Sequence, residues 1–197
     1  MNIAYQLPFK KIGRDVVIWE RAKIVSPEVI SIGNSVIIDD FVFLMGGAGV
    51  YIGNFVHIAS FTSVTGGGQL VMEDFSGLSS GCRIFTGTED YSGEHLTNPT
   101  IPAPYRVPER SFVHIKRHAI IGANSVILPG VTIGEGVVVA AGSVVVKDCL
   151  PWRVYAGVPA RPVKPRPKER LLELEQQLRA KAYTPNGEYI PKALWSK

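Results

Sequence analysis

Reading along the chain, an aliphatic side chain returns at every sixth position. Ile12, Ile18 and Ile24 are followed by Ile32, Ile38 and Leu44, then Ile52, Ile58 and Val64, then Met72, Leu78 and Ile84. After a break the series resumes as Ile115, Ile121, Ile127, Ile133, Val139 and Val145, with no polar residue in the slot. Four positions after many of these stands a small or β-branched residue: Val16, Ala22, Val36, Ala48, Thr62, Ser76, Ser125 or Ser143. The first four groups start at 12, 32, 52 and 72, so three hexads and a two-residue spacer make one unit. Each hexad predicts one short strand with a turn at each end, and three such strands close a triangular coil whose aliphatic slot points inward. About six coils result, all-β and parallel, each satisfying the backbone groups of the next. After residue 114 the spacer disappears and the coils run at eighteen residues.

Runs such as IGNSVI, IGNFVH, IGANSV and IGEGVV carry the repeat, and over residues 12–166 the chain resembles the hexapeptide-repeat acyltransferases. The resemblance implies a left-handed parallel β-helix assembled as a homotrimer, features that periodicity alone does not supply. PWRVYAGVPARPVKPRP is too proline-rich for a ladder and is expected to wrap across the last coil, closing a β-helix domain over 1–166. The remainder, 167–197, is expected to hold an amphipathic helix over 167–182, with Leu171, Leu174 and Leu178 on one face. That helix would cap the open end of the coils or pack on a neighbouring subunit.

Charge narrows the partners. The net charge is +4, yet from Arg161 onward nine lysines and arginines face four glutamates, so the rest of the chain is close to neutral. A local site for a phosphorylated small molecule fits better than a nucleic-acid face, which would interleave aromatics with the basic residues. Arg161, Lys164, Arg166 and Lys168 form that cationic group. The resemblance implies acetyl-coenzyme A as acyl donor: Ala123 and Ala141 offering backbone groups to its pantetheine arm, Val146 and Lys147 lining its path, Arg161 and Lys164 facing its phosphates. Cys82 and Cys149 lack metal or disulfide spacing and read as small buried thiols. Neither an N-terminal apolar run nor a membrane-length segment occurs, so a cytoplasmic protein is expected.

The repeat is interrupted by an arm over about 88–114, polar and proline-bearing, with Glu89, Asp90, Glu94 and His95 at its root. Acyl transfer from a thioester needs a nucleophile with a free lone pair and a group to take its proton. Sugar acetyltransferases of the resembled superfamily often carry a catalytic histidine in a T-G-H sequence here; Thr86 and Gly87 match it, and Thr88 replaces the histidine. Loss of that base favours an amine acceptor over a sugar hydroxyl, with Asp90 or Glu89 orienting the ammonium and accepting its proton. His95, seven residues later, would restore hydroxyl chemistry, and His57, at a coil corner, is a further base candidate. The arm is similar to those of enzymes that acylate sugars or nucleotide-linked amino sugars in O-antigen and other surface-polysaccharide synthesis. N-acetylation of such a sugar is therefore the expected reaction. A γ-carbonic-anhydrase-like metal enzyme is the rival, although His114 and His118 are spaced four apart where that family uses five; a non-catalytic scaffold is another. No bound metal is expected.

Overall fold

In the computed structural model, which describes residues 1–195, the hexads form a left-handed parallel β-helix of six coils with three faces. One face orders its strands Lys11–Ile12, Ile30–Ile32, Gly49–Ile52, Gln69–Met72, Phe112–Ile115 and Val131–Ile133. The second begins at Val17–Ile18 and runs through His57–Ile58 and Gly77–Leu78 to Val138–Val139; the third begins at Lys23–Val25 and ends at Val144–Val145. Every inward slot is fully buried except Ile12 and Ile24 in the first coil, which are half-buried against the core. Register follows the spacing: Gln69 pairs with Gly49 twenty residues earlier and with Phe112 across the arm, while Val113 pairs with Val131 eighteen later.

The small corner residues have a second task. The hydroxyls of Thr62, Ser76, Ser125 and Ser143 are buried, and each donates to a backbone carbonyl, satisfying the turn from inside. The recurrent Gly-Asn is explained likewise: Asn54 Oδ1 accepts from the backbone N–H of Asn34, and Asp74 Oδ1 from that of Asn54. Side chains thus brace one coil to the next.

Two expectations are corrected. The proline-rich segment does extend the ladder: Arg153–Gly157 pairs in parallel with Val138–Val139, then turns back as Ala160–Pro165. Pro162 and Pro165 lie on the outer edge strand, where a missing N–H costs no ladder bond. The helix spans Glu169–Ala182 and does not cap the coils. It lies along a corner of its own chain through Glu175, which bonds His118 and Arg117, and Arg179, which bonds Asp74. Leu174 is 47% exposed, whereas Leu171 and Leu178 are half-buried and Glu175 and Ala182 are buried, so the docked face mixes apolar and charged side chains. The tail continues back to the first coil, where the Tyr189 hydroxyl donates to Asp15; the last two positions of the segment 167–197 lie outside the described residues. Among those described, no helix is long and apolar enough to cross a membrane.

Candidate active site

The arm leaves the third face through a two-residue antiparallel pairing, Gly87–Thr88 with Glu109–Arg110. Its root is clamped by Thr86, a buried residue whose hydroxyl donates to the Thr65 carbonyl and accepts from the Gly68 N–H. Gly87 must be glycine, because a Cβ there would lie 2.3 Å from the Gly66 carbonyl oxygen. Thr86 and Gly87 of the T-G-H pattern are therefore anchoring residues, and Thr88 occupies the place where chemistry could begin.

Beyond the root the charged residues pair off. Glu89 is held by Arg106, Nε to Oε2 at 2.8 Å with a second bond from Nη2 to Oε1, and that guanidinium keeps its carboxyl below the usual range. Asp90 organises the turn after it: its carboxylate accepts from the Ser92 hydroxyl at 2.6 Å and the Ser92 N–H at 2.7 Å. Its other oxygen, Oδ2, accepts from the His95 N–H and meets His95 Nδ1, both at 2.9 Å. These bonds, the Ser92 hydroxyl foremost, hold Asp90 far below the ordinary carboxylate range. With the carboxylate ionised, Nδ1 must carry the proton, which leaves Nε2 of the neutral imidazole as a lone-pair donor. Glu94 is exposed and its backbone N–H caps the Ser92 hydroxyl.

Two hollows flank the root. One of about 410 Å³ is lined by Asp90, Tyr91, Glu94, His95 and Val107. The other, of about 550 Å³, is lined by Phe85, Thr88, Glu89, Arg110, Leu128 and Val146, so Val146 does border the arm; Lys147 beside it is exposed.

His57 lies elsewhere. It stands on the second face with Nε2 3.0 Å from Asp39, beside a hollow that also takes in Ser79 and Ser80. All four histidines contact a carboxylate, but His118, only 6% exposed and 2.6 Å from Glu175, secures the helix, and His114 meets Glu73 where the coils resume. Ala123 and Ala141 stack on the corner between the second and third faces, where the Gly142 N–H donates to the Ala123 carbonyl. Arg161 and Lys164 lie exposed on the edge strand beside this corner. Arg166 leaves the expected cationic group, since its guanidinium donates to the carbonyls of His118 and Gly136 and burial lowers its pKa. Both cysteines are buried; burial pushes Cys149 up to about 12. Arg106 and Ser92 carried no sequence signal, because only the folded arm brings them to Glu89 and Asp90.

Residues 112–147 match the family described as bacterial transferase hexapeptide, six repeats. The chain is 39% identical over 182 residues to the dTDP-4-amino-4,6-dideoxy-D-glucose acyltransferase of Escherichia coli, covering 92% of this chain and 94% of that one. It is also similar to AntD, an N-acyltransferase from Bacillus cereus. One structure of a variant of that protein, in complex with dTDP-4-amino-4,6-dideoxyglucose and coenzyme A, superposes with a TM-score of 0.83 at 42% identity, covering 88% of this chain and 91% of that one. Another, in complex with dTDP and 3-hydroxybutyryl-CoA, gives a TM-score of 0.84 at 42% identity over 90% of this chain and 97% of that one. The shared span is too long to leave the arm outside it, and the chain belongs to the hexapeptide-repeat acyltransferases.

Proposed function

We propose that this enzyme transfers an acyl group from coenzyme A to the amino group of a nucleotide-linked amino sugar, with acetyl the expected group and a dTDP-4-amino-4,6-dideoxyhexose the expected acceptor class. The observation that carries this reading is the near-full-length likeness to an acyltransferase named for such a sugar and to an N-acyltransferase solved with one bound. We place the reaction in the cytoplasm, as a step in the synthesis of surface polysaccharides.

The arm supplies the proton handling. Asp90 holds His95 so that Nε2 takes the proton from the attacking amine as its nitrogen bonds to the thioester carbonyl. Collapse of the tetrahedral intermediate breaks the C–S bond, and the coenzyme A thiolate recovers the proton. Asp90, anionic and bonded to Ser92 and His95, orients the base more readily than it accepts a proton. Glu89, ion-paired with Arg106, shapes the hollow beside it. Solved variants of the Bacillus enzyme alter a serine and an aspartate that lie ten residues apart. Asp90 has Ser80 ten residues before it, and no other aspartate of this chain has a serine at that distance.

Ser80 and Asp90 lie toward opposite ends of the third face, one at the corner before Arg83–Phe85 and the other beyond that strand. A site using both, with His57 near the first, needs the corner of one subunit and the arm of another; this supports the homotrimer. Along that corner Ala123 and Ala141 admit the pantetheine arm and Arg161 and Lys164 meet its phosphates, while Val146 and Lys147, at the other end of the third face, line its path.

The test is thiol release from acetyl-CoA with dTDP-4-amino-4,6-dideoxyglucose against the same nucleotide sugar bearing a 4-hydroxyl. Release with the amine alone is expected. Release with the hydroxyl sugar alone, or with neither, overturns the assignment.

A further inference from the structure

Two corners of the coil carry columns of aromatic rings, and they end differently. On the corner before the second face, Phe55 stacks on Phe75 at 4.9 Å and Phe75 on His118 at 5.1 Å, with Trp152 beyond. The protein covers this column itself, with Tyr183 and Tyr189 edge-on to Phe55 and Arg179 over Phe75.

On the corner after the second face, Phe41 and Phe61 stack at 5.1 Å and 5°. Arg21 lies over the outer face of Phe41, 5.6 Å from its centroid, and closes that end. The other end stays open. The next residue in the column is Gly81, at φ +77°, which brings no ring; a Cβ there would meet Asn124 Oδ1 at 2.1 Å. Phe61 is 60% exposed. Beside it Arg83 folds back, Nη1 donating to the carbonyls of Phe61 and Gly81. The free ring face is thus bordered by an amide and a guanidinium.

Resting on the function proposed above, we infer that the open face of Phe61 is the stacking platform for the heteroaromatic base of the nucleotide-linked acceptor. Order along the corner supports this: Phe41, Phe61, Ser80 with Gly81, Ala123 with Asn124, then Ala141 with Gly142. The donor's path occupies the small residues on the C-terminal side of Ser80, with Arg161 and Lys164 further along. The acceptor is left the N-terminal side, where the next surface is a ring. A flat base continues the column at the spacing of one coil, with Asn124 available to its polar edge and Arg83 to the diphosphate that follows it. The adenine of coenzyme A has the same stacking chemistry, but its phosphates are assigned to the far end of the corner.

The test is calorimetric titration with three probes: thymidine diphosphate, inorganic pyrophosphate and coenzyme A. Phe61→Ala should weaken thymidine diphosphate about tenfold. Phe61→Asn, suited to the positive φ of 63° at this position, should do the same, and Phe61→Tyr should bind as the parent does. Pyrophosphate and coenzyme A affinities, and the oligomeric mass, should not change. Unchanged thymidine diphosphate affinity in both ring-deleting variants overturns the inference. So does a loss confined to coenzyme A, which would assign the ring to adenine, or a change in oligomeric mass, which would make it a subunit contact. If the parent acylates the amino sugar while Phe61→Ala binds the nucleotide normally, this inference fails and the function stands; a parent that neither binds nor acylates sinks both.

Discussion

Asp90 accepts four hydrogen bonds in a turn of six residues, and that concentration decides what it can do. A carboxylate held so far below its ordinary range is an anchor for charge and orientation, leaving His95 Nε2 as the group with a lone pair to offer. Asp90→Asn should therefore lower kcat about a hundredfold while the KM for acyl-CoA is unchanged, and adding His95→Gln should cost little more, because the two act as one unit. Equal, additive losses in steady-state kinetics would contradict the pairing. Because the folded pKa is depressed, the charge of Asp90 persists as pH falls through the ordinary carboxylate value near ~4 and is lost only below it. Any fall in rate between pH 7 and 5 thus has another source. Both residues were visible as titratable groups at the root of an arm; what the sequence could not convey was their pairing, which depends on the turn at Ser92 and Gly93.

The C-terminal helix shows how a leucine stripe can share its docked face with charge. Its leucines suggested an apolar contact, but the corner beneath presents Asp74, Arg117 and His118, and the helix turns Glu175 and Arg179 toward them. Charge complementarity and the aromatic contacts of Tyr183 share the docked side with Leu171 and Leu178, which are half-buried, while Leu174 turns to solvent. Burial raises the pKa of Glu175, yet the hydrogen bonds from Arg179 and His118 and the charge of Arg117 bring it out below the usual value. Its contribution is present above the unfolded carboxylate pKa of about 4.3 and lost as pH falls below it. Glu175→Gln should destabilise the fold by about 2 kcal/mol in urea unfolding, whereas Leu174→Ala should stay within about 0.5 kcal/mol. The reverse ranking would show that Leu174, and not Glu175, carries the contact with the coil.

At the scale of the whole chain, the coils were legible almost residue by residue, since a six-residue slot leaves one way to bury every aliphatic side chain at once. Ladders do not depend on local propensity alone, so the proline-rich segment was misread: an edge strand tolerates prolines that an inner strand would not. Assembly is checked by complementation. Ser80→Ala and Asp90→Asn, each impaired alone, should regain about a quarter of full activity when refolded together as mixed trimers, the share of sites that draw an intact corner and an intact arm from different subunits. No recovery would confine the site to one chain.

Between the third and first faces the chain bulges outward at Ser26, Pro27 and Glu28, at Gly47 and Ala48, and at Gly67 and Gly68 before it departs into the arm at the same place. The arm is the fourth member of a series, lengthened where the others stay short. Its length and composition are thereby uncoupled from the register of the coils above and below. Descendants of this scaffold can rewrite that single loop while the packing of the coils on either side is inherited unaltered.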